Sequence, residues 1–181
     1  VMDTRTGAVR AYLGNIMDAG KEHQEDVDII AAPRSTGSIM KPWLYALMLD
    51  EGLIFPPTLI RDIPTQYGSF RPMNYHKSYN GAVPASRALA RSLNIPAVRM
   101  LNLYGVGRFS DRLKSLGLTT IDRPANHYGL SLILGGAEAN LWELCGVYGS
   151  MGRTLLNFTE NSSRYNRHDF HPPLLLQEEV D

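Results

Sequence analysis

The chain has 181 residues and a mass of 20.2 kDa, the size of one domain or of part of a larger one, and it can bury roughly 70% of its unfolded surface. Hydrophobic residues make up 44% and charged residues 20%, ordinary globular usage that excludes disorder of the whole chain. Eighteen basic residues balance eighteen acidic ones, against a nucleic-acid binder held by a strong basic field, and the lone Cys145 excludes an internal disulfide or a multi-cysteine zinc site.

The opening Val1-Met2-Asp3 has no basic region followed by an apolar run, so no signal peptide is read there. No stretch reaches about 18 uninterrupted apolar residues; the most apolar, Tyr128 to Met151, is broken by Glu138 and Glu143. A start at Val1 with no initiator Met predicts a piece of a longer protein.

In chain order, Val1–Asp3 and Ala8–Leu13 read as two short strands around a turn at Thr4–Gly7, where Gly7 supplies a permissive backbone. Asn15 to Thr36 is polar and reads as an exposed loop. From Ser38 to Glu51, Ile39, Trp43, Ala46 and Leu47 recur at helical spacing, with Gly52 as the stop. Phe55 to Val83 carries Pro56, Pro57, Pro64 and Pro72 and predicts a long tethered loop with little regular structure. Helices follow at Pro84–Ser92, Asn94–Leu103 and Val106–Leu116, the last two each ended by a glycine. A final helix runs from Asn140, its N-cap, to Leu155. The tail from Thr159 is polar, and Pro172 to Leu176 reads as extended. Residues 1–156 are expected to form the domain and 157–181 a tail or connecting segment.

Ser38 and Lys41 stand three apart at the predicted start of a helix, so hydroxyl and amine share one face. The helix N-terminus favours negative charge developing on an attacking oxygen. Lys41 can act as a base only when neutral, which requires desolvation or a neighbouring cation. With 12 Ser and 4 Lys in the chain, chance supplies about 0.3 such pairs, so a capping serine beside a solvated lysine is the bland alternative. Ser92 and Asn94 lie at a break between two helices, where a hydroxyl could relay a proton and an amide could hold a substrate carbonyl. Equally, Ser92 could end one helix and Asn94 cap the next. Ser78-Tyr79-Asn80 repeats that spacing.

Gly37-Ser38-Ile39-Met40-Lys41-Pro42 and, further along, Ala88-Leu89-Ala90-Arg91-Ser92-Leu93-Asn94-Ile95-Pro96-Ala97-Val98 together resemble the transpeptidase domain of penicillin-binding proteins. Tyr128-Gly129-Leu130-Ser131-Leu132-Ile133-Leu134-Gly135-Gly136-Ala137-Glu138 is similar to the bifunctional class A enzymes, above all their 1C branch. The opening Asp3 to Val9 resembles that domain's first strands, and the likeness covers residues 1 to 156. It implies an α+β fold, the N-terminal part of the serine transpeptidase and β-lactamase-like fold, mainly helical with a small antiparallel hairpin. It further implies Ser38 as the acylated nucleophile, Lys41 as general base, and Ser92 and Asn94 as the second motif, which shuttles protons and anchors the substrate. Ser78-Tyr79-Asn80 is then a coincidence of the long loop.

The same resemblance implies a D-alanyl-D-alanine transpeptidase that cross-links peptidoglycan, with stem peptides and β-lactam antibiotics as partners and neither cofactor nor metal. The parent protein would be bacterial, anchored in the inner membrane and facing the periplasm. A β-lactamase or penicillin sensor would share Ser38 and Lys41, and a noncatalytic peptidoglycan-binding module is the alternative of another class.

The family's third motif, Lys-Thr-Gly, does not occur: Lys21, Lys41, Lys77 and Lys114 precede Glu, Pro, Ser and Ser. Arg5-Thr6-Gly7 precedes the nucleophile and matches the first turn. In the family that strand supplies an oxyanion donor, and losing one donor costs about 10²–10³ in rate. The expectation is a chain of impaired activity, with a hairpin that is mobile or paired with another chain through an open edge.

Other features carry less. His168, Asp169 and His171 read as solvated side chains of a flexible tail rather than metal ligands. Asn157-Phe158-Thr159 and Asn161-Ser162-Ser163 match a glycosylation pattern that means little in bacteria. Tyr67, Phe70, Tyr75 and Tyr79 are expected to pack the long loop onto the helices. Trp43, Leu44, Leu47, Met48, Leu141, Leu144 and Val147 read as core.

Overall fold

The computed structural model describes residues 1–16, 18, 20–161 and 163–175. In chain order they form β1 (Arg34–Ser35), α1 (Lys41–Asp50), β2 (Leu59–Asp62), β3 (Gly81–Pro84), α2 (Ala85–Ala90), α3 (Asn94–Tyr104), α4 (Val106–Ser115), α5 (Ala125–Tyr128), β4 (Glu138–Ala139) and α6 (Leu141–Glu160), with three short 3₁₀ turns. No helix among the described residues is long and apolar enough to cross a membrane.

The helices fall close to the sequence expectation because their ends are chemically marked. Gly105 (φ 96°) and Gly117 (φ 103°) follow α3 and α4 in conformations that L side chains rarely adopt. Asn140 Oδ1 accepts from Glu143 N at 2.7 Å and caps α6, which continues to Glu160 rather than ending near Leu155. Leu141, expected in the core, is the first residue of that helix and is 48% accessible.

The expectation of an irregular 55–83 segment is corrected. β2 and β3 pair antiparallel, Leu59 opposite Pro84 and Asp62 opposite Gly81. No apolar alternation advertises β2, because Leu59 and Arg61 are exposed whereas the inward side chain at its end is Asp62.

The chain divides into two compact units, residues 1–34 with 113–121 and 139–181, and residues 35–112 with 122–138. In the second unit α3 is the hub: it packs on α1, α2, β2 and the 3₁₀ turn Gly129–Leu134. Ile95, Ala97, Val98 and Leu101 on α3 are buried, with Leu44 and Met48 of α1 and Leu132 and Ile133 of the turn. A helix so apolar around its circumference belongs inside.

In the first unit the opening hairpin is small, with one antiparallel bridge between Met2 and Val9. Its expected open edge is filled by its own chain on the Ala8 side. Val9 N donates to Leu174 O and Leu174 N to Gly7 O, both at 2.8 Å, in a parallel bridge of Ala8 with Leu174. The extended 172–176 segment thus reaches the hairpin as far as it is described; Leu176 lies outside the described residues.

Gly146, Gly149 and Gly152 stand three apart on α6. A Cβ there would meet Pro173 Cδ at 2.8 Å, the end of the Met2 side chain, and Thr4 Cγ2 at 2.6 Å, respectively. Beside them the buried Arg153 donates to Asp169 O, Thr4 O, His171 O and Ser150 Oγ. The tail is therefore held on α6 at Asp169, which is buried where a solvated side chain was expected, and at the half-buried His171, whereas residues 163–168, His168 among them, are exposed.

Candidate active site

α1 starts at Lys41, three residues later than the spacing predicts, so Ser38 lies in the turn ahead of the helix and not in its first turn. Ile39 N donates to Thr36 O and Lys41 N to Ser38 O, both at 3.1 Å. These i to i−3 bonds wind the chain more tightly than an α-helix. Pro42, just inside the helix, lacks the N–H that would have no intrahelical acceptor. Thr36 anchors the turn by donating its N–H and its hydroxyl to Ala137 O, both at 3.1 Å. Gly135 (φ 99°) allows the approach: a Cβ there would stand 2.8 Å from Gly37 N.

Lys41 is buried, and its ammonium spends all three donors inside the protein. Nζ lies 2.8 Å from Ser92 O, 3.2 Å from Ser92 Oγ and 2.7 Å from Asn94 Oδ1. Burial pushes its pKa down from 10.5 to about 8. A neutral amine keeps two N–H donors and gains a lone pair, and Ser92 Oγ–H is placed to donate to it.

Ser92 adopts φ 51°, a left-handed conformation uncommon outside glycine. The chain reverses there between α2 and α3, which turns both the Ser92 carbonyl and its hydroxyl to the lysine. Neither bland alternative fits: Arg91 is the C-cap of α2, and Leu93 precedes α3 without a side-chain cap.

Asn94 opens α3, with its oxygen toward Lys41 and Nδ2 donating to Met73 O at 2.9 Å. Asn74, which the sequence did not single out, accepts from Asn94 N at 3.0 Å and Ile95 N at 3.2 Å through Oδ1. Asn74 Nδ2 donates to Asp62 Oδ1 at 2.7 Å and Ser78 O at 2.9 Å. Asp62 Oδ2 accepts from Asn80 N at 2.9 Å and Asn80 Nδ2 at 2.5 Å. Ser78 and Asn80, set aside in the sequence as a coincidence, belong to this network. Its members are polar loop residues with no periodicity, so the sequence carried no local sign of it.

Ser38, Ser78, Arg91, Ser92, Asn94 and Asn74 line one cleft of about 360 Å³. The structure thus brings Lys41, Ser92 and Asn94 into direct contact and sets Ser38 on the same cleft. Among the described residues no hydrogen bond joins Ser38 Oγ to Lys41 Nζ. Of the expected loop-packing aromatics, Tyr67 and Phe70 pair in a bridge, whereas Tyr75 is 88% exposed. No group of three or more His, Cys, Asp or Glu side chains suited to a metal ion occurs among the described residues.

Residues 1–144 match the model of the penicillin binding protein transpeptidase domain. The chain belongs to that family. Over 153 residues it is 39% identical to penicillin-binding protein 1C of Escherichia coli (strain K12), an alignment covering 84% of this chain and 20% of the relative. Penicillin-binding protein 1F of Bacillus subtilis (strain 168) is 34% identical over 138 residues, 76% of this chain and 18% of that protein. The chain thus spans about a fifth of the length of these relatives. Among solved structures, the PonA1 protein of Mycobacterium tuberculosis in complex with penicillin V superposes with a TM-score of 0.69 at 20% identity, over 83% of this chain and 41% of that one. The transpeptidase-domain fold, α+β and mainly helical with a small antiparallel sheet, follows from that likeness.

Proposed function

We propose that the chain carries the acylation machinery of a D-alanyl-D-alanine transpeptidase that cross-links peptidoglycan through a serine acyl-enzyme. The supporting observation is one buried amine, its pKa lowered to about 8, held by Ser92 and Asn94 on the cleft that Ser38 lines. Ser38 Oγ attacks the carbonyl carbon of the donor's penultimate D-Ala as its proton passes to neutral Lys41. Collapse of the tetrahedral adduct breaks the amide, and the proton returns by way of Ser92 Oγ to the departing D-Ala nitrogen. An acceptor amine then attacks the ester carbonyl, the bond to Ser38 Oγ breaks, and the amine's proton passes by way of Lys41 to Ser38 Oγ, which regenerates the serine. Asn94 anchors the donor backbone with its amide nitrogen, one N–H of which is held by Met73 O.

Penicillins acylate the same serine because their strained amide mimics the donor. The parent protein is anchored in the bacterial inner membrane and works on its periplasmic face. Within these 181 residues no Lys-Thr-Gly occurs, so labelling by this chain alone is weak. Fluorescent penicillin is the test. The full-length protein should label covalently, Ser38→Ala should abolish the label, and the adduct should persist for many minutes. Rapid turnover would indicate a β-lactamase. Unlabelled parent that still binds peptidoglycan would indicate a noncatalytic module.

A further inference from the structure

We propose that Asn74 is the positioning residue for the Lys41–Asn94 contact and that the buried Asp62 holds Asn74 in register; this rests on the function proposed above. The first N–H groups of α3 have no intrahelical acceptor, and Leu93 offers no side-chain cap. Asn74 Oδ1 reaches across from the 63–80 excursion and takes two of them, Asn94 N and Ile95 N. Its amide cannot flip: Nδ2 is committed to Asp62 Oδ1 and Ser78 O, and a reversed amide would set N–H groups against N–H groups. The neighbouring Met73 carbonyl holds Asn94 Nδ2. Met73 and Asn74 therefore clamp both the backbone and the side chain of the residue whose oxygen lies 2.7 Å from Lys41 Nζ.

Asp62 makes the clamp rigid. It is fully buried at the end of β2, opposite Gly81, and receives three N–H bonds from Asn74 and Asn80. A carboxylate so placed accepts and cannot donate, so it selects the one amide orientation that leaves Asn74 Oδ1 facing α3. Displacing a reacting group by about 1 Å can cost 10²-fold in rate.

The test is acylation of the full-length protein by fluorescent penicillin. Asn74→Ala should lower the rate constant at saturating penicillin about 10- to 100-fold, with half-saturation changed less than about threefold. The core variant Ile54→Val, a control for lost stability, should stay within about twofold of the parent. Asn74→Asp keeps an acceptor for α3 but sets a second carboxylate against Asp62, which raises the pKa of one of them. Its rate relative to the parent should therefore recover as pH falls from about 8 to 5.5, when a shared proton restores the bond. An Asn74→Ala rate no lower than that of Ile54→Val, or a flat Asn74→Asp ratio, overturns the proposal.

Hydrogen exchange judges the clamp without any chemistry. In Asn74→Ala the Asn94 and Ile95 amides should exchange at least about tenfold faster, with Met100 and Leu101 unchanged. A parent that takes no penicillin overturns the function above, whereas unchanged exchange at Asn94 and Ile95 overturns the clamp itself.

Discussion

Lys41 Nζ lies 2.7 Å from Asn94 Oδ1, although 53 positions separate them in the chain. Together with the two oxygens of Ser92 this contact surrounds the amine with acceptors. Acceptors favour the charged form and burial opposes it. Burial prevails, and the amine loses its proton near pH 8.

Acylation should therefore rise with pH through about 8. At pH 7 roughly a tenth of the molecules carry the neutral base, and above pH 9 nearly all do. Stability should follow the same group. Between pH 8 and 10.5 the unfolded chain holds a proton that the folded chain has released, so folded stability climbs with pH across that window. Below it the buried charge costs at most about 3 kcal/mol. Urea midpoints from pH 7.5 to 10 check this: the parent should gain stability relative to Lys41→Met. A parallel pair of curves refutes the shift.

Ser92 separates strain from chemistry. A left-handed conformation costs a residue with a Cβ about 1–2 kcal/mol, and Ser92 pays it at φ 51°. Ser92→Gly and Ser92→Ala both delete the hydroxyl facing Lys41, and both should acylate at least about tenfold more slowly. Only the glycine relieves the backbone. It should unfold about 2–4 °C above the alanine for each kcal/mol recovered. Equal melting temperatures, or a glycine variant with parental acylation rate, count against the assignment.

What was legible in the sequence followed from local chemistry. Asn140, Gly105 and Gly117 mark helix ends through their own side chains or backbones, so α3, α4 and the start of α6 could be placed. Ser38, Lys41, Ser92 and Asn94 were singled out because two short motifs occur together, which spacing alone could not have selected. The rest depended on distant partners. β2 and β3 were hidden because the inward residue at the end of β2 is Asp62, satisfied by amides from 12 and 18 positions away. Ser38 was assigned to the helix because its periodicity is helical, yet the docking of Thr36 on Ala137 tightens the turn ahead of α1. The anchoring of the tail at Asp169 and His171 escaped notice because its hold is an arginine on α6 bonding to carbonyls, a pattern with no residue signature.

The glycines of α6 should respond in opposite directions. Alanine in a helix interior is favoured over glycine by about 1 kcal/mol. At Gly149 the obstructing atom is the flexible end of Met2, which can swing aside, so Gly149→Ala should be neutral or slightly stabilising. At Gly146 the obstacle is the rigid ring of Pro173, with Pro172 Cα at 3.4 Å behind it. Overpacking there costs about 1–3 kcal/mol and exceeds the helical gain. Gly146→Ala should thus lose stability and raise hydrogen exchange at Leu174. Thermal unfolding of the two variants side by side decides it; the same sign for both contradicts the contact geometry.

Arg153 should prove the largest single contributor to the first unit. Its guanidinium is buried, and burial pushes its pKa down while Asp169 partly offsets that. It stays charged even so, because a guanidinium holds its proton throughout the range in which proteins fold. Its donors bind three carbonyls and a hydroxyl, drawn from the hairpin turn at Thr4, the tail at Asp169 and His171, and its own helix at Ser150. Arg153→Ala strands those acceptors and opens a cavity, a loss of about 3 kcal/mol or more. Arg153→Lys keeps the charge but replaces a planar fork with one point of donation, so it should recover less than half of that. Released from the arginine, residues 163–175 should be cut first in limited proteolysis. The Val9 and Leu174 amides, which bridge tail and hairpin, should lose exchange protection together. An Arg153→Ala protein within about 1 kcal/mol of the parent, its tail still protected, would show that the hairpin and tail hold each other without it.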